Sequence, residues 1–166
     1  MYIGIDPGQK GGIAVINHNA EVLLCVEMPE KSSVPYYIKT EVISLIMKKK
    51  ECDACYLYIE KAQAMPQQGV VGVFTYGVGY GKILGAFEAC LIYPTEIRPM
   101  EWKKHFGLIK EKKGKIHSVE LAERLFPNIQ LRNPPAKKSG RPGKLLDGKA
   151  EALLIAEYAR QKYFKK

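Results

Sequence analysis

The 166 residues carry 26 Lys and Arg against 17 Asp and Glu, a net charge of +9, and 46% of them are apolar. That length argues for one domain over 1–166 with a sizeable core. No uninterrupted apolar run reaches the roughly 18 residues of a membrane span, and the N-terminus lacks the basic and apolar parts of a signal peptide, so a cytoplasmic protein without a membrane partner is expected.

Tyr2–Ile5, Gly12–Ile16 and Val22–Met28 read as three strands joined by tight turns at Gly11-Gly12 and Asn17-His18-Asn19, hence an antiparallel meander. Pro35 can open a helix running to about Lys50, with Ile38, Val42, Leu45 and Ile46 at helical spacing. Cys52 and Cys55 form a lone CxxC with no second pair of zinc ligands. It leads into a strand, whereas a thioredoxin-type motif opens a helix, so reduced cysteines are expected. Ala54–Glu60, "ACYLYIE", is a near-continuous apolar strand of the kind covered on both faces.

"KAQAMPQQG" reads as a loop, and Val70–Ala89 as a helix with Gly77, Gly81 and Gly85 on one face. That face admits either tight packing on the sheet or a contact between subunits. Leu91–Ile97 reads as a fifth strand, "EWKKHFG" as a short helix, Lys115–Phe126 as another, Asn128–Lys144 as a polar loop and Leu146–Tyr163 as a last helix. The order predicts an α/β fold: a mixed five-stranded sheet, three antiparallel strands then two parallel, with helices on both faces.

Charge is unevenly placed. Residues 98–149 hold 14 basic and 5 acidic side chains, while the rest of the chain is balanced at 12 and 12. A lysine-rich stretch can be a solvated face, but such concentration on loops is also a nucleic-acid footprint.

The acidic residues carry the chemical signal. Asp6 ends the first strand and Glu60 the fourth, so parallel strands would bring both to one sheet edge. In "LLDGKAEALLIAEYA", Asp147 and Glu151 share a helix face that continues through Leu154, Ile155 and Tyr158. Asp147 alone could cap the helix, but Glu151 interrupts an inward stripe with a charge. Four carboxylates without a matching buried base call for a cation, and an all-oxygen donor set favours Mg²⁺, with Mn²⁺ able to substitute. Two such ions about 4 Å apart can activate water and stabilise the leaving oxygen of a phosphodiester.

"GIDPG", "YIEKAQAM" and "DGKAEALLIA", in that order over nearly the whole chain, resemble the RuvC-type Holliday-junction resolvases of bacteria, phages, poxviruses and plastids. The resemblance implies a ribonuclease H-like fold and a homodimer that cuts opposed strands of branched DNA, with two Mg²⁺ per active site. It places the metal ligands on Asp6, Glu60, Glu151 and Asp147. The second C-terminal acid of the family often lies three residues before the position of Glu151, which here is Gly148; Asp147 would fill that role. Met65 would wedge into the junction centre, and Val70–Ala89 resembles the dimer helix. Arg98, Trp102, Lys103, Lys104, Lys112, Lys113, Lys115, Lys137, Lys138, Arg141 and Lys144 are the candidate DNA contacts. The compartment would be a host cytoplasm if the chain is phage-encoded.

Other readings are weaker. An Hsp70- or sugar-kinase-like ATPase shares the opening motif but needs two such domains around its nucleotide. "TYGVGYGKI" lacks the first glycine and the final Ser/Thr of a P-loop, so no nucleotide cofactor is expected. A ribonuclease H-like enzyme acting on RNA or an RNA·DNA hybrid shares fold and metal chemistry. A non-catalytic nucleic-acid-binding module would use the basic segment but leave Glu60 and Glu151 unexplained.

Overall fold

Three near-continuous apolar runs within the first 27 positions build an antiparallel meander of β1 (Tyr2–Asp6), β2 (Gly12–Ile16) and β3 (Val22–Glu27). The computed structural model describes residues 1–48, 54–64, 67–109, 115–135 and 143–164. β4 (Tyr56–Glu60) pairs in parallel with β1, and β5 (Thr95–Ile97) in parallel with β4, giving the order β3-β2-β1-β4-β5. This is the mixed sheet the sequence predicts.

Both faces of the central strands are covered, which is why their sequences are nearly all apolar. Ile3, Ile5, Ile13, Val15, Leu57 and Ile59 pack on one side under a helical stretch and a long helix. The stretch comprises α1 (Val34–Tyr37), a π-helical segment (Ile38–Ile43) and α2 (Ser44–Lys48). The long helix is α3 (Val70–Glu88), which buries Tyr80, Ile83 and Phe87. Tyr2, Ala14, Ile16 and Tyr58 pack on the other side beneath α6 (Asp147–Phe164). α4 (Pro99–His105) and α5 (Lys115–Leu125) complete that layer.

α6 lies on β1 in direct backbone contact. A Cβ on Gly4 would overlap the Ala152 carbonyl and the Ala156 amide, so only glycine fits there. Alanines at 150, 152, 156 and 159, all fully buried, keep the helix side of the contact equally thin.

The expected fifth strand over Leu91–Ile97 shrinks to three residues. α3 ends in a Schellman motif: Ile92 N–H donates to Phe87 O at 3.1 Å and Leu91 N–H to Glu88 O at 2.9 Å, with Leu91 left-handed at φ +59°. The helix end agrees with the sequence reading to within one residue, but glycine usually holds the left-handed position, so a leucine there gave no sign that the motif takes up the start of the expected strand. Leu91 and Tyr93 consequently point to solvent.

For α3, one open alternative is decided and one expectation changes. Side chains added at Gly77, Gly81 and Gly85 would meet nothing, so this glycine face does not pack on the sheet. By length and composition, moreover, Val70–Glu88 is apolar enough to cross a bilayer. The sequence estimate missed it because Lys82 and the glycines interrupt the run.

Candidate active site

The parallel register pairs Ile5 with Ile59, so Asp6 and Glu60 follow side by side at the same sheet edge. Side chains alternate along a strand. Ile3, Ile5, Leu57 and Ile59 face α3, hence Asp6 and Glu60 share the opposite face with Tyr2 and Tyr58, towards α6. Glu151 precedes Ala152, the residue against Gly4, which brings a third carboxylate from the helix to the strand ends.

Each carboxylate has its own partners. Asp6 Oδ1 accepts the Gly8 N–H at 3.0 Å, a turn contact. Glu60 Oε2 accepts the Trp102 indole N–H at 2.9 Å. Glu151 Oε1 lies 3.1 Å from Lys103 Nζ and accepts a longer bond, 3.2 Å, from the Ser118 hydroxyl.

Burial pushes the Asp6 carboxyl from 3.8 up to about 7. The Gly8 N–H opposes that rise, the anions of Glu151 and Glu60 add to it, and Lys103 draws it back. Glu60 is raised as well, first by burial and then by Glu151, against the pull of the Trp102 N–H and Lys103. The three acids therefore form one electrostatic unit with too little positive charge inside it. Tyr76, on α3, is raised to about 12, by burial first and then by the charges of Asp6 and Glu60.

An all-oxygen donor set of this kind suits a hard divalent cation, and the excess of negative charge is what such an ion would relieve. The three acids do not close round one point, however. Among the described residues no three acidic, histidine or cysteine side chains are gathered tightly enough to hold a metal ion, and the Lys103 ammonium rests on Glu151. The donor chemistry fits a hard divalent ion, and Glu151 is paired with an ammonium in its place.

Asp147 begins α6, half-buried, one turn before Glu151. The charges that weigh most on Asp6 are those of Glu151, Glu60 and Lys103. An acid in the first turn also suits the positive end of a helix. At position 148 no side chain fits, because a Cβ would fall on the backbone of Lys10 and Gly11.

Trp102 corrects an expectation. It was expected at the DNA surface, yet it is 0% exposed and acts inward on Glu60. Lys103, expected on DNA, is engaged with Glu151. Arg98, Lys104 and Lys144 are exposed. Lys115 opens α5. Met65, Lys112, Lys113, Lys137, Lys138 and Arg141 lie outside the described residues, as does Cys52; Cys25 and Cys90 are free thiols.

Ser118 and Tyr76 were not singled out from the sequence. Ser118 stands one turn before Ala122, on the buried face of α5, and a polar residue in that stripe was a readable signal. Nothing in the sequence marked Tyr76. It lines an open groove of about 980 Å³ between the Pro7–Lys10 turn, the segment after β3 and α3, with Lys10 and Lys31 also on its wall.

No family model matches the sequence, and no curated protein matches it. Solved structures do match. One is of T. thermophilus RuvC in complex with Holliday junction substrate: TM-score 0.53, 16% identity, covering 98% of this chain and 93% of that one. A second Thermus thermophilus RuvC structure gives TM-score 0.51 and 19% identity, covering 96% and 95%. At such identity the likeness is one of fold. The chain has the ribonuclease H-like fold of these RuvC structures over nearly its whole length.

Proposed function

We propose that this protein is a divalent-metal-dependent endonuclease that cuts branched DNA, four-way junctions above all. The observation that carries the proposal is the convergence of Asp6, Glu60 and Glu151 from two strand ends and a helix into one charge-deficient cluster, on a fold that a junction-bound RuvC shares.

In this reading Asp6, Glu60 and Glu151 hold Mg²⁺ or Mn²⁺, with Asp147 a further candidate ligand. The bound ions supply an activated water and charge stabilisation at the leaving oxygen. The protein's own groups set the stage. The Gly8 N–H orients Asp6, the Trp102 N–H fixes one oxygen of Glu60, and Ser118 steadies Glu151. The basic segment from Arg98 to Lys144 holds phosphates without reading sequence. Lys10 and Lys31, on the wall of the groove beside the Pro7–Lys10 turn, add positive charge next to the strand end that carries Asp6.

The reading includes a homodimer. Val70, Val71, Phe74 and Val78 are exposed on α3, and the open positions at Gly77, Gly81 and Gly85 allow a second helix to approach closely. Light scattering should give a dimer. Gly81→Leu should leave the fold intact, since its side chain meets nothing in the monomer, and shift the mass towards monomer.

The decisive experiment is incubation with a synthetic four-way junction and Mg²⁺, beside linear duplex and RNA·DNA hybrid. Symmetric nicking of the junction is expected, abolished by EDTA. Cleavage of the hybrid alone would replace junction resolution with a ribonuclease H-like activity.

A further inference from the structure

Adjacent residues of α4 reach two different carboxylates. Trp102, the only tryptophan in the chain, anchors α4 in the core and holds Glu60. Lys103 extends from the next position to Glu151, and its ammonium also draws on Asp6 and Glu60. The two positions differ in freedom. Trp102 is fully buried, whereas the Lys103 side chain remains 31% exposed. A lysine head on a flexible four-carbon stem can swing to solvent while its backbone stays fixed.

We propose that Lys103 is the resting counter-cation of the acidic site: its ammonium holds the place on Glu151 that a divalent ion takes, withdraws when that ion binds, and then contacts a substrate phosphate. This rests on the metal-dependent reading above. A divalent ion and an ammonium on the same carboxylate oxygen repel each other strongly. Lys103 therefore opposes metal binding in the free protein. Once displaced beside bound DNA, the same charge has a phosphate oxygen as partner. Lys103 thus discourages metal loading without DNA and is released for use when both are present. A purely structural salt bridge would do neither.

Trp102 provides the readout. Its N–H bonds a carboxylate that would become a metal ligand, so loading the site changes the indole's surroundings and its emission. The full-length protein is titrated without DNA, using Mg²⁺ and, separately, Tb³⁺ sensitised through Trp102. Junction cleavage is measured at saturating Mg²⁺. Lys103→Met should lower the half-saturating Mg²⁺ concentration about twofold to fivefold, the range expected from losing a partly exposed competing charge. It should also reduce the cleavage rate at saturating metal about tenfold. Lys103→Gln, which keeps length and polarity, should behave alike and serves if the methionine variant fails to fold. Lys103→Arg should keep the weak metal binding of the wild type.

Equal midpoints in wild type and both neutral variants would overturn the proposal and leave the site reading standing. Tighter metal binding with an unchanged rate would remove the phosphate role. Silence of Trp102 towards both metals in every variant, matched by Glu60→Gln, would bring down the site reading and this proposal together.

Discussion

Two glutamates of α6 stand six positions apart and are treated in opposite ways. Glu157 is 3% exposed. Arg160 grips it with two bonds of 2.7 Å, Gln161 adds a third of 2.7 Å, and Arg160 Nη1 also donates to His18 O at 3.2 Å. One anion meets one planar cation in bidentate geometry, and the pair ties the helix to the β2–β3 turn. Glu151 shares its surroundings with Asp6 and Glu60, and Lys103 supplies the cation. Burial alone does not separate an acid with a complete set of partners from one without. The local charge balance does: around Glu157 it closes, and around Glu151 it does not.

The largest effects should come from neutralising the unbalanced end. Asp6→Asn, Glu60→Gln and Glu151→Gln should each lower junction cleavage by roughly a thousandfold, because metal stabilisation of the transition state is worth several kcal/mol. Junction affinity in gel shift should persist, since phosphate contacts lie elsewhere. Glu157→Gln should cut normally per folded molecule. A Glu60→Gln protein that cuts at wild-type rate would dissolve the distinction.

The second prediction concerns pH. Asp6 titrates near 3.8 in the unfolded chain and at about 7 in the folded one. Between those values the folded state keeps a proton that the unfolded state has released, so folding is favoured at low pH. The stability this group supports is fully present below about pH 4 and is lost as pH rises through 7. The loss is on the order of 4 kcal/mol for a shift of about three units, and Glu60 acts in the same direction. In EDTA the wild type should melt lower at pH 8 than at pH 5. Asp6→Asn should flatten that slope and melt above wild type at pH 8. Calorimetry across pH 4–8 checks this; an unchanged slope in the variant would place the burial cost elsewhere.

Third, Glu157→Gln removes a buried anion, its side chain 5% exposed, that Arg160 grips. Breaking such a pair costs about 3 kcal/mol, or roughly 6–12 °C in melting temperature at this chain length. Thermal denaturation at pH 7 measures it. If Glu157→Gln melts as wild type while Glu151→Gln unfolds, the two ends have been assigned the wrong way round.

This contrast was only half legible in the sequence. Strand ends and helix spacing mark Asp6, Glu60 and Glu151, because parallel pairing and a 3.6-residue period suffice to place them on one edge. Glu157 looked like any acid on a helix, since its partner Arg160 is read only once the helix has a buried side. Trp102 was misplaced for a related reason. In "EWKKH" a tryptophan among lysines looks like a stacking platform, but a seven-residue helix has room to bury one large side chain, and the indole N–H then needs an acceptor. The short β5 escaped because the apolar residues from Leu91 read as strand, whereas a left-handed leucine places them in the turn that closes α3.

The smallest expected effect sharpens the comparison at its edges. Ser118 and Gln161 are the neutral donors at the two ends, one at 3.2 Å to Glu151 Oε1 and the other at 2.7 Å to Glu157 Oε1. A hydroxyl bond that long is weak, so Ser118→Ala removes little stability. What it removes is one of the two contacts to the Glu151 carboxylate among the described residues, the other being the partly exposed Lys103. Its effect should appear in cleavage, as a severalfold fall in rate at saturating Mg²⁺, with the melting temperature within about 2 °C of wild type. Gln161→Ala should do the reverse. It removes a short bond to a charged acceptor, worth about 1–2 kcal/mol, together with the 2.8 Å contact between Gln161 Oε1 and His105 Nε2, and should lower the melting temperature by a few degrees with the cleavage rate changed less than by Ser118→Ala. Single-turnover kinetics and thermal melts on the two variants give four numbers, and the expectation is a crossed pattern. If both substitutions move only stability, Glu151 is held as Glu157 is held, and its place among the reacting groups would have to be given up.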